Sequence, residues 1–326
     1  MERERIGILF PGEMGTAIGA LLVAEGHEVV TTLEGRSRAT IERCQGAEFT
    51  VLGSLSEVIS ESTMVWSFIH PDGASDLAEQ VLAAVAHVGS RPIYIDGNSI
   101  APAVAVSIAE RLATQHVDFV DATIHGDSGR LRERSVLYLS GTQTERIAST
   151  LGGAMRLRLL GSEPGAASRF KMTIAGVSKG ASALLMEVAS FAARQGVLEA
   201  WIDDCRHFYP ALMQTMETML PTYARHSGRR AAELNDIGRT ICELGLRPGL
   251  IAEAQRLVAR LAAHDSDEAM LDCKAEGTSL DDFLAALGTL SLLKPDPVSI
   301  PESADSPISA HCSSTREERP HGPPNP

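Results

Sequence analysis

Positive charge is scarce in this chain. The 29 Lys and Arg stand against 42 Asp and Glu, a formal net charge of −13 over 326 residues. Nucleic acid and anionic membrane surfaces call for a clustered positive field, so both are excluded as general partners, and only a local basic pocket stays open. Aromatic residues are few as well, at 4%, which leaves the core to Ala, Leu, Val and Ile. The five cysteines, Cys44, Cys205, Cys242, Cys273 and Cys312, are odd in number and scattered. They lack the paired spacings of zinc or redox chemistry, so no metal site is expected and a reducing, cytoplasmic setting fits. The N-terminal "MERERIGILF" carries no signal-type apolar region, no apolar run reaches about 18 residues, and there is no internal repeat or heptad run. The expectation is a soluble protein.

What the chain does have is 44% hydrophobic composition and length enough for about two domains. Short β-branched runs punctuate the first half: "RIGILF", "HEVVTT", "EFTVL", "TMVWSFI", "PIYIDG", "DFVDATI", "SVLYLS" and "MRLRLL". Ala-rich amphipathic stretches such as "SDLAEQVLAAVAHV" and "PAVAVSIAERLATQH" lie between several of them and read as crossover helices. This predicts an α/β doubly wound, Rossmann-type sheet over residues 1–163. The strand signals then stop. "ASRFKMTIAGVSKGASALLMEVASFAARQG" predicts one long helix, about 40 Å at 1.5 Å per residue. The blocks "CRHFYPALMQTMETML", "RRAAELNDIGRTICELG", "GLIAEAQRLVARLAAH" and "SLDDFLAALG" continue the pattern, giving an all-helical substrate or dimerisation domain over 164–293. Residues 294–326 are Pro- and Ser-rich without periodicity and are expected to form a disordered tail.

The first strand runs straight into "FPGEMG" and a small-residue helix, which is how a dinucleotide-binding unit opens, except that Phe10 stands where the fingerprint has its first glycine. A residue before proline favours extended geometry, so Phe10 is expected to finish the strand while Pro11 starts the turn. The strict need falls on Gly12, for approach of a pyrophosphate, and on Gly15, for close packing of the helix. Glu13 and Met14 lie between them. By itself this pattern also suits a tight βα turn with no ligand. Two further stretches sit at strand ends where such sheets bind ligands: "SFIHPDG", with Phe68, Ile69 and His70, and "YIDGNSIAP", with Asn98 and Ser99. After the second strand, Glu34 and Arg36 compete. An acid there would bind a ribose hydroxyl of NAD(H), whereas Arg36, Ser37 and Arg38 suit a 2′-phosphate, and NADP(H) is favoured over NAD(H).

In this order and spacing, over about residues 5–195, the sequence resembles the β-hydroxyacid dehydrogenase and 6-phosphogluconate dehydrogenase superfamily. Within it, "KMTIAGVSKG" looks most like a poorly characterised branch with its own C-terminal helical domain. Asp96, Ser99 and Pro102 match its Asp-x-x-Ser-x-x-Pro stretch, and "VDATIHGD" stands in the place of its "DAPVSGG" substrate loop. The resemblance puts the catalytic lysine on Lys171 and implies a homodimer. Two departures stand out. Ile174 and Ala175 occupy the place of the family's substrate-holding Asn, and His125, Gly126 and Asp127 replace its Ser-Gly-Gly. The next polar groups on the Lys171 face are Ser178 and Lys179.

The resulting expectation is an NADP-dependent oxidoreductase that moves hydride between nicotinamide and a carbonyl or secondary alcohol of a small substrate. Lys171 handles the proton, and Thr123, His125, Gly126 and Ser178 face the substrate. Lys179 is a candidate for lowering the Lys171 pKa, and Asp96 caps the Asn98–Ser99 loop rather than acting as an acid. Met213, Met216 and Met219 read as core or dimer packing. Imine reduction and a non-catalytic nucleotide-binding dimer are the rival readings.

Overall fold

A computed structural model describes residues 3–126 and 128–290, so the predicted tail and Asp127 lie outside the described residues. The eight runs read as strands all form strands: β1 (Arg5–Leu9), β2 (Glu28–Thr32), β3 (Thr50–Leu52), β4 (Met64–Ser67), β5 (Ile93–Asp96), β6 (Phe119–His125), β7 (Val136–Gly141) and β8 (Arg156–Leu159). They build one sheet in the order β3-β2-β1-β4-β5-β6-β7-β8. Pairing is parallel from β3 through β6, β7 runs antiparallel to β6, and β8 runs parallel to β7. The chain winds outward from β1 to β3 and then crosses to β4 on the other side of β1. That reversal creates the crevice where doubly wound sheets bind ligands.

Helices α1 (Glu13–Ala24), α2 (Arg38–Gln45), α3 (Leu55–Glu61), α4 (Ala74–Val88), α5 (Pro102–Ala113), α6 (Leu131–Arg134) and α7 (Thr144–Thr150) alternate with the strands. A parallel sheet covered on both faces has to be apolar on both, and the central strands comply over most of their length. Ile6, Ile8, Met64, Trp66, Ile93, Ile95, Val120 and Ala122 point into one core with Ile18 and Leu22 of α1. Leu9, Val65, Tyr94 and Phe119 point into the other, with Leu77 and Val81 of α4 and Ile108 of α5. By the same alternation Ser67, Asp96, Asp121 and Thr123 share the second face, and all four are buried.

Helix α8 (Ala166–Arg194) is the predicted long helix, 29 residues without interruption. The chain divides into two compact units at Val177 and Ser178, so the first turns of α8 belong with the sheet. This is fourteen residues beyond the 163/164 boundary set by the last strand. By length and composition α8 could cross a membrane, with mean hydropathy 1.2 over its most apolar stretch.

The second unit continues α8 with α9 (Leu198–Phe208), α10 (Pro210–Met219), α11 (Tyr223–Glu243), α12 (Gly249–Ala263), α13 (Glu268–Asp272) and α14 (Leu280–Thr289). Its core gathers Met186, Met213, Met216, Leu234, Val258, Phe283 and Leu287, so Met213 and Met216 are packing residues. The single helix read over 205–220 is two, broken between Tyr209 and Pro210, because a proline cannot continue the ladder of the preceding turn. Helix α11 starts at Tyr223, six residues before its predicted block.

Candidate active site

The glycine loop departs from expectation at Phe10. The strand stops at Leu9, and Phe10 adopts φ +54°, the left-handed conformation that the missing glycine would supply freely. Its ring is put to use, since the Arg36 guanidinium lies 4.1 Å from the ring centroid. Arg36 also donates from Nε to the Glu34 carbonyl at 3.2 Å, which places the guanidinium over the loop and leaves the Glu34 backbone as its anchor. Ser37 caps α2, its hydroxyl accepting the Thr40 amide proton at 3.3 Å.

Gly12 begins α1 with no side-chain cap, and a Cβ built there would meet nothing within 4 Å. Open space at a helix N-terminus with unfilled amide donors is the cradle a pyrophosphate needs. The residues therefore fit a dinucleotide. Glu13 is exposed, and its carboxylate accepts a hydrogen bond from Ser128 Oγ. Met14 is half-buried against the core.

Phe68 turns its side chain inward. Its ring is buried and stacked on Trp66 at 5.6 Å between centroids. A Cβ on Gly15 would lie 3.0 Å from Phe68 Cβ, and one on Gly97 would lie 2.3 Å from its Cε1. One ring is thus wedged between the helix after β1 and the loop after β5. Asn98 is likewise structural. Its amide donates to Ser67 Oγ at 2.9 Å and Asp96 Oδ2 at 3.2 Å, and its Oδ1 accepts from Ile69 N at 2.6 Å. It ties the β4 and β5 loops together. His70 is exposed and pairs with Asp72 at 3.3 Å ahead of the Pro71–Gly73 turn.

Asp96 holds this loop as expected, accepting the Asn98 amide proton at 2.9 Å. Burial, with the nearby Asp121 charge adding to it, pushes its carboxyl up to about 7. Asp121 sits beside it in strand register, and burial raises its pKa too.

Lys171 is where the two halves of the motif meet. Its Nζ donates to Ser99 Oγ at 2.7 Å, so the residue assigned to cofactor and the residue assigned to chemistry are direct partners. The start of α8 is held by Asp121, which accepts from Ser168 N at 2.9 Å and Ser168 Oγ at 2.8 Å. Ser140 Oγ accepts from Ala167 N at 3.0 Å. The sequence reading missed Ser140 and Ser168, whose partners lie 27 and 47 residues away.

The predicted substrate residues are less uniform. Thr123 is buried on the Asp121 face, and its hydroxyl has no hydrogen-bond partner. His125 ends β6, half-buried. Gly126 has φ +138°, and a Cβ there would lie 2.2 Å from Ser135 Oγ, so the position is closed to side chains. Ser178 lies two turns beyond Lys171 on α8, at the start of the second unit. Lys179 does not fill its suggested role. It forms an ion pair with Glu233 at 2.9 Å and stands eight residues, about 12 Å of helix rise, from Lys171. Among the described residues no group of three or more His, Cys, Asp or Glu could hold a metal ion.

Comparison with known proteins agrees with this geometry. Residues 5–151 match the NAD binding domain of 6-phosphogluconate dehydrogenase, and residues 192–261 match a domain of unknown function, DUF1932. An uncharacterised 28.5 kDa protein of Methanothermus fervidus is 24% identical over 76% of this chain and 94% of its own length. Among solved structures, the conserved protein MTH1747, described as structurally similar to 3-hydroxyacid dehydrogenases, is 28% identical. It superposes with a TM-score of 0.63 over 80% of this chain and 99% of its own. The 3-hydroxyisobutyrate dehydrogenase of Mycobacterium tuberculosis shares the fold at 18% identity, with a TM-score of 0.68 over 89% and 100% of the two chains. Imine reductases share it at lower TM-scores, 0.53 to 0.56. The glycine loop on α1, the bracketed loops after β4 and β5, and a lysine on the first turns of α8 are the parts of one known architecture, and the chain carries the NAD binding domain of the 6-phosphogluconate dehydrogenase family of NAD(P)-dependent oxidoreductases, joined to a DUF1932 domain.

Proposed function

We propose that the protein is an NADP(H)-dependent oxidoreductase acting on a carbonyl or secondary alcohol of a small substrate. The observation that carries this reading is a continuous run of contacts. Gly15 packs on Phe68, Phe68 on Gly97, Asn98 binds the β4 loop, and Ser99 receives Lys171 at 2.7 Å. The phosphate cradle and the proton-handling group are thereby built into one unit. A bound nicotinamide would supply or take the hydride.

The chain's own residues do the rest. Gly12 and the first turn of α1 hold the pyrophosphate, and Arg36 on its Phe10 platform meets the 2′-phosphate. His125 borders the substrate. An ammonium has three N–H donors, and the bond to Ser99 orients the Lys171 group toward the reacting oxygen. In reduction the ammonium stabilises the growing alkoxide and delivers a proton without any special pKa. A homodimer is supported by the exposed Val177, Leu184 and Phe191, which recur every seven residues along α8. The reading places the enzyme in the cytoplasm, without nucleic-acid or membrane partners.

Imine reduction is the second reading, favoured by the shared fold of imine reductases. The Lys171 cation would repel a protonated imine, which favours the carbonyl. Turnover of ketone and cyclic-imine panels with NADPH separates the two. The test of the reading itself is Lys171→Met, which keeps helix propensity and bulk. Cofactor affinity should hold, while turnover of whichever substrate the wild type accepts falls about 10²- to 10⁴-fold. Retention of more than about a third of the wild-type rate would remove Lys171 from the chemistry.

A further inference from the structure

Helix α8 begins in an unusual way. The residue before Ala166 is Gly165, at φ +81°, which has no side chain with which to cap the helix. A helix start leaves its first amide protons without intrahelical partners, and the preceding Ser, Thr, Asp or Asn ordinarily takes one of them. Here the acceptors come from the sheet instead. Ser140 of β7 takes the Ala167 amide, and Asp121 of β6 takes the Ser168 amide and the Ser168 hydroxyl. An anion at a helix N-terminus is favoured by the helix dipole, so the choice of a carboxylate fits the place.

The register neighbour of Asp121 is Asp96, on β5. Both carboxylates are fully buried, and both spend their oxygens on named donors. Placing two acids side by side away from water is costly, and a packing role alone does not call for it. Each instead controls a different segment: Asp96 the loop that ends at Ser99, Asp121 the turn that precedes Lys171. Ser168 and Lys171 are three positions apart, so they are neighbours on one helical face.

We infer that Asp121 is a positioning residue for Lys171: it fixes the first turn of α8 from the sheet while adjacent Asp96 fixes the Ser99 loop, so that both partners of the 2.7 Å contact are held by one pair of buried carboxylates. Neither carboxylate touches substrate. The inference rests on the role proposed above for Lys171, and the experiment separates the two claims.

Turnover is measured for wild type, Asp121→Asn, Lys171→Met and the double variant, with NADPH affinity read by fluorescence titration. Hydrogen exchange of the Ala167 and Ser168 amides is followed in the cofactor-free protein. Asp121→Asn should lower kcat about tenfold or more with NADPH affinity unchanged, and should speed exchange at Ser168. In the Lys171→Met background it should cost less than about twofold, because a residue that acts only through Lys171 has nothing left to act through. An equal loss in both backgrounds, or unchanged exchange, overturns the inference. If Lys171→Met keeps its turnover, the catalytic reading fails, and with it the inference for kcat, while the exchange data still decide whether Asp121 caps α8. Should Asp121→Asn not fold, Ser168→Ala, which removes the hydroxyl donor but keeps the backbone amide, runs through the same cycle with the same expected pattern.

Discussion

Asp96 makes stability depend on pH in a calculable way. Its carboxyl is fully buried and titrates at about 7 in the folded protein against 3.8 for the free side chain. Between those values the folded state keeps a proton that the unfolded state has released, so the stability it contributes is full below about pH 3.8 and is lost as pH rises through 7. A tenfold change in proton affinity corresponds to about 1.4 kcal/mol, so the whole loss is about 4 kcal/mol, more than half of it between pH 5 and pH 8. Asp121, also raised by burial, has the same sign. His226, lowered by burial and by the neighbouring arginines, has the opposite sign.

The readout is therefore the difference between wild type and Asp96→Asn, not the wild-type slope. Asn keeps an oxygen for the Asn98 amide and loses the second contact, a pH-independent cost of about 1 kcal/mol. Urea unfolding at pH 5, 6, 7 and 8 should show the variant gaining on wild type by about 2 to 3 kcal/mol across the series. Parallel curves would mean that Asp96 ionises as freely in the folded chain as in the unfolded one, and the reasoning from burial would be wrong.

Two further outcomes follow from the loop geometry. Gly97→Ala should destabilise by about 1 to 3 kcal/mol and weaken cofactor binding, because the new methyl lands on a Phe68 ring that Gly15 and Trp66 prevent from yielding; unchanged urea midpoints would show that the ring can move. Arg36→Ala should lose about ten- to a hundredfold in NADPH affinity and little for NADH, measured by fluorescence titration, and equal losses for both would point to Glu34 and a ribose hydroxyl.

The sheet was legible because most strands are short apolar runs closed by turn residues, and α8 because nothing interrupts it for 29 residues. The site was legible as far as it is local. Gly12 faces open space and Asp96 holds the amide two residues on, both of which residue type and position suggest. Sequence reasoning failed where the partner is distant or the backbone breaks a preference. Phe10 precedes a proline and still takes φ +54°, a strained state for a bulky residue that the surrounding turn imposes. The Asp121 to Ser168 cap joins residues 47 apart, and no local pattern announces it. Phe68 and Asn98 stand in the loops after β4 and β5, yet their side chains face inward and support those loops. The break at Pro210 was written in the sequence and was outweighed there by the helical spacing of the methionines.

The Phe68 ring also has a thermodynamic meaning. Because it fills the space against Gly15 on one side and Gly97 on the other, neither loop can open while the ring stays seated. The turn after β1 and the loops after β4 and β5 then behave as one cooperative opening unit rather than three independently fluctuating ones. A ligand that ordered any one of them would damp the fluctuations of all, so the entropy of ordering the crevice would be spent largely in the first encounter and little would be left for the second.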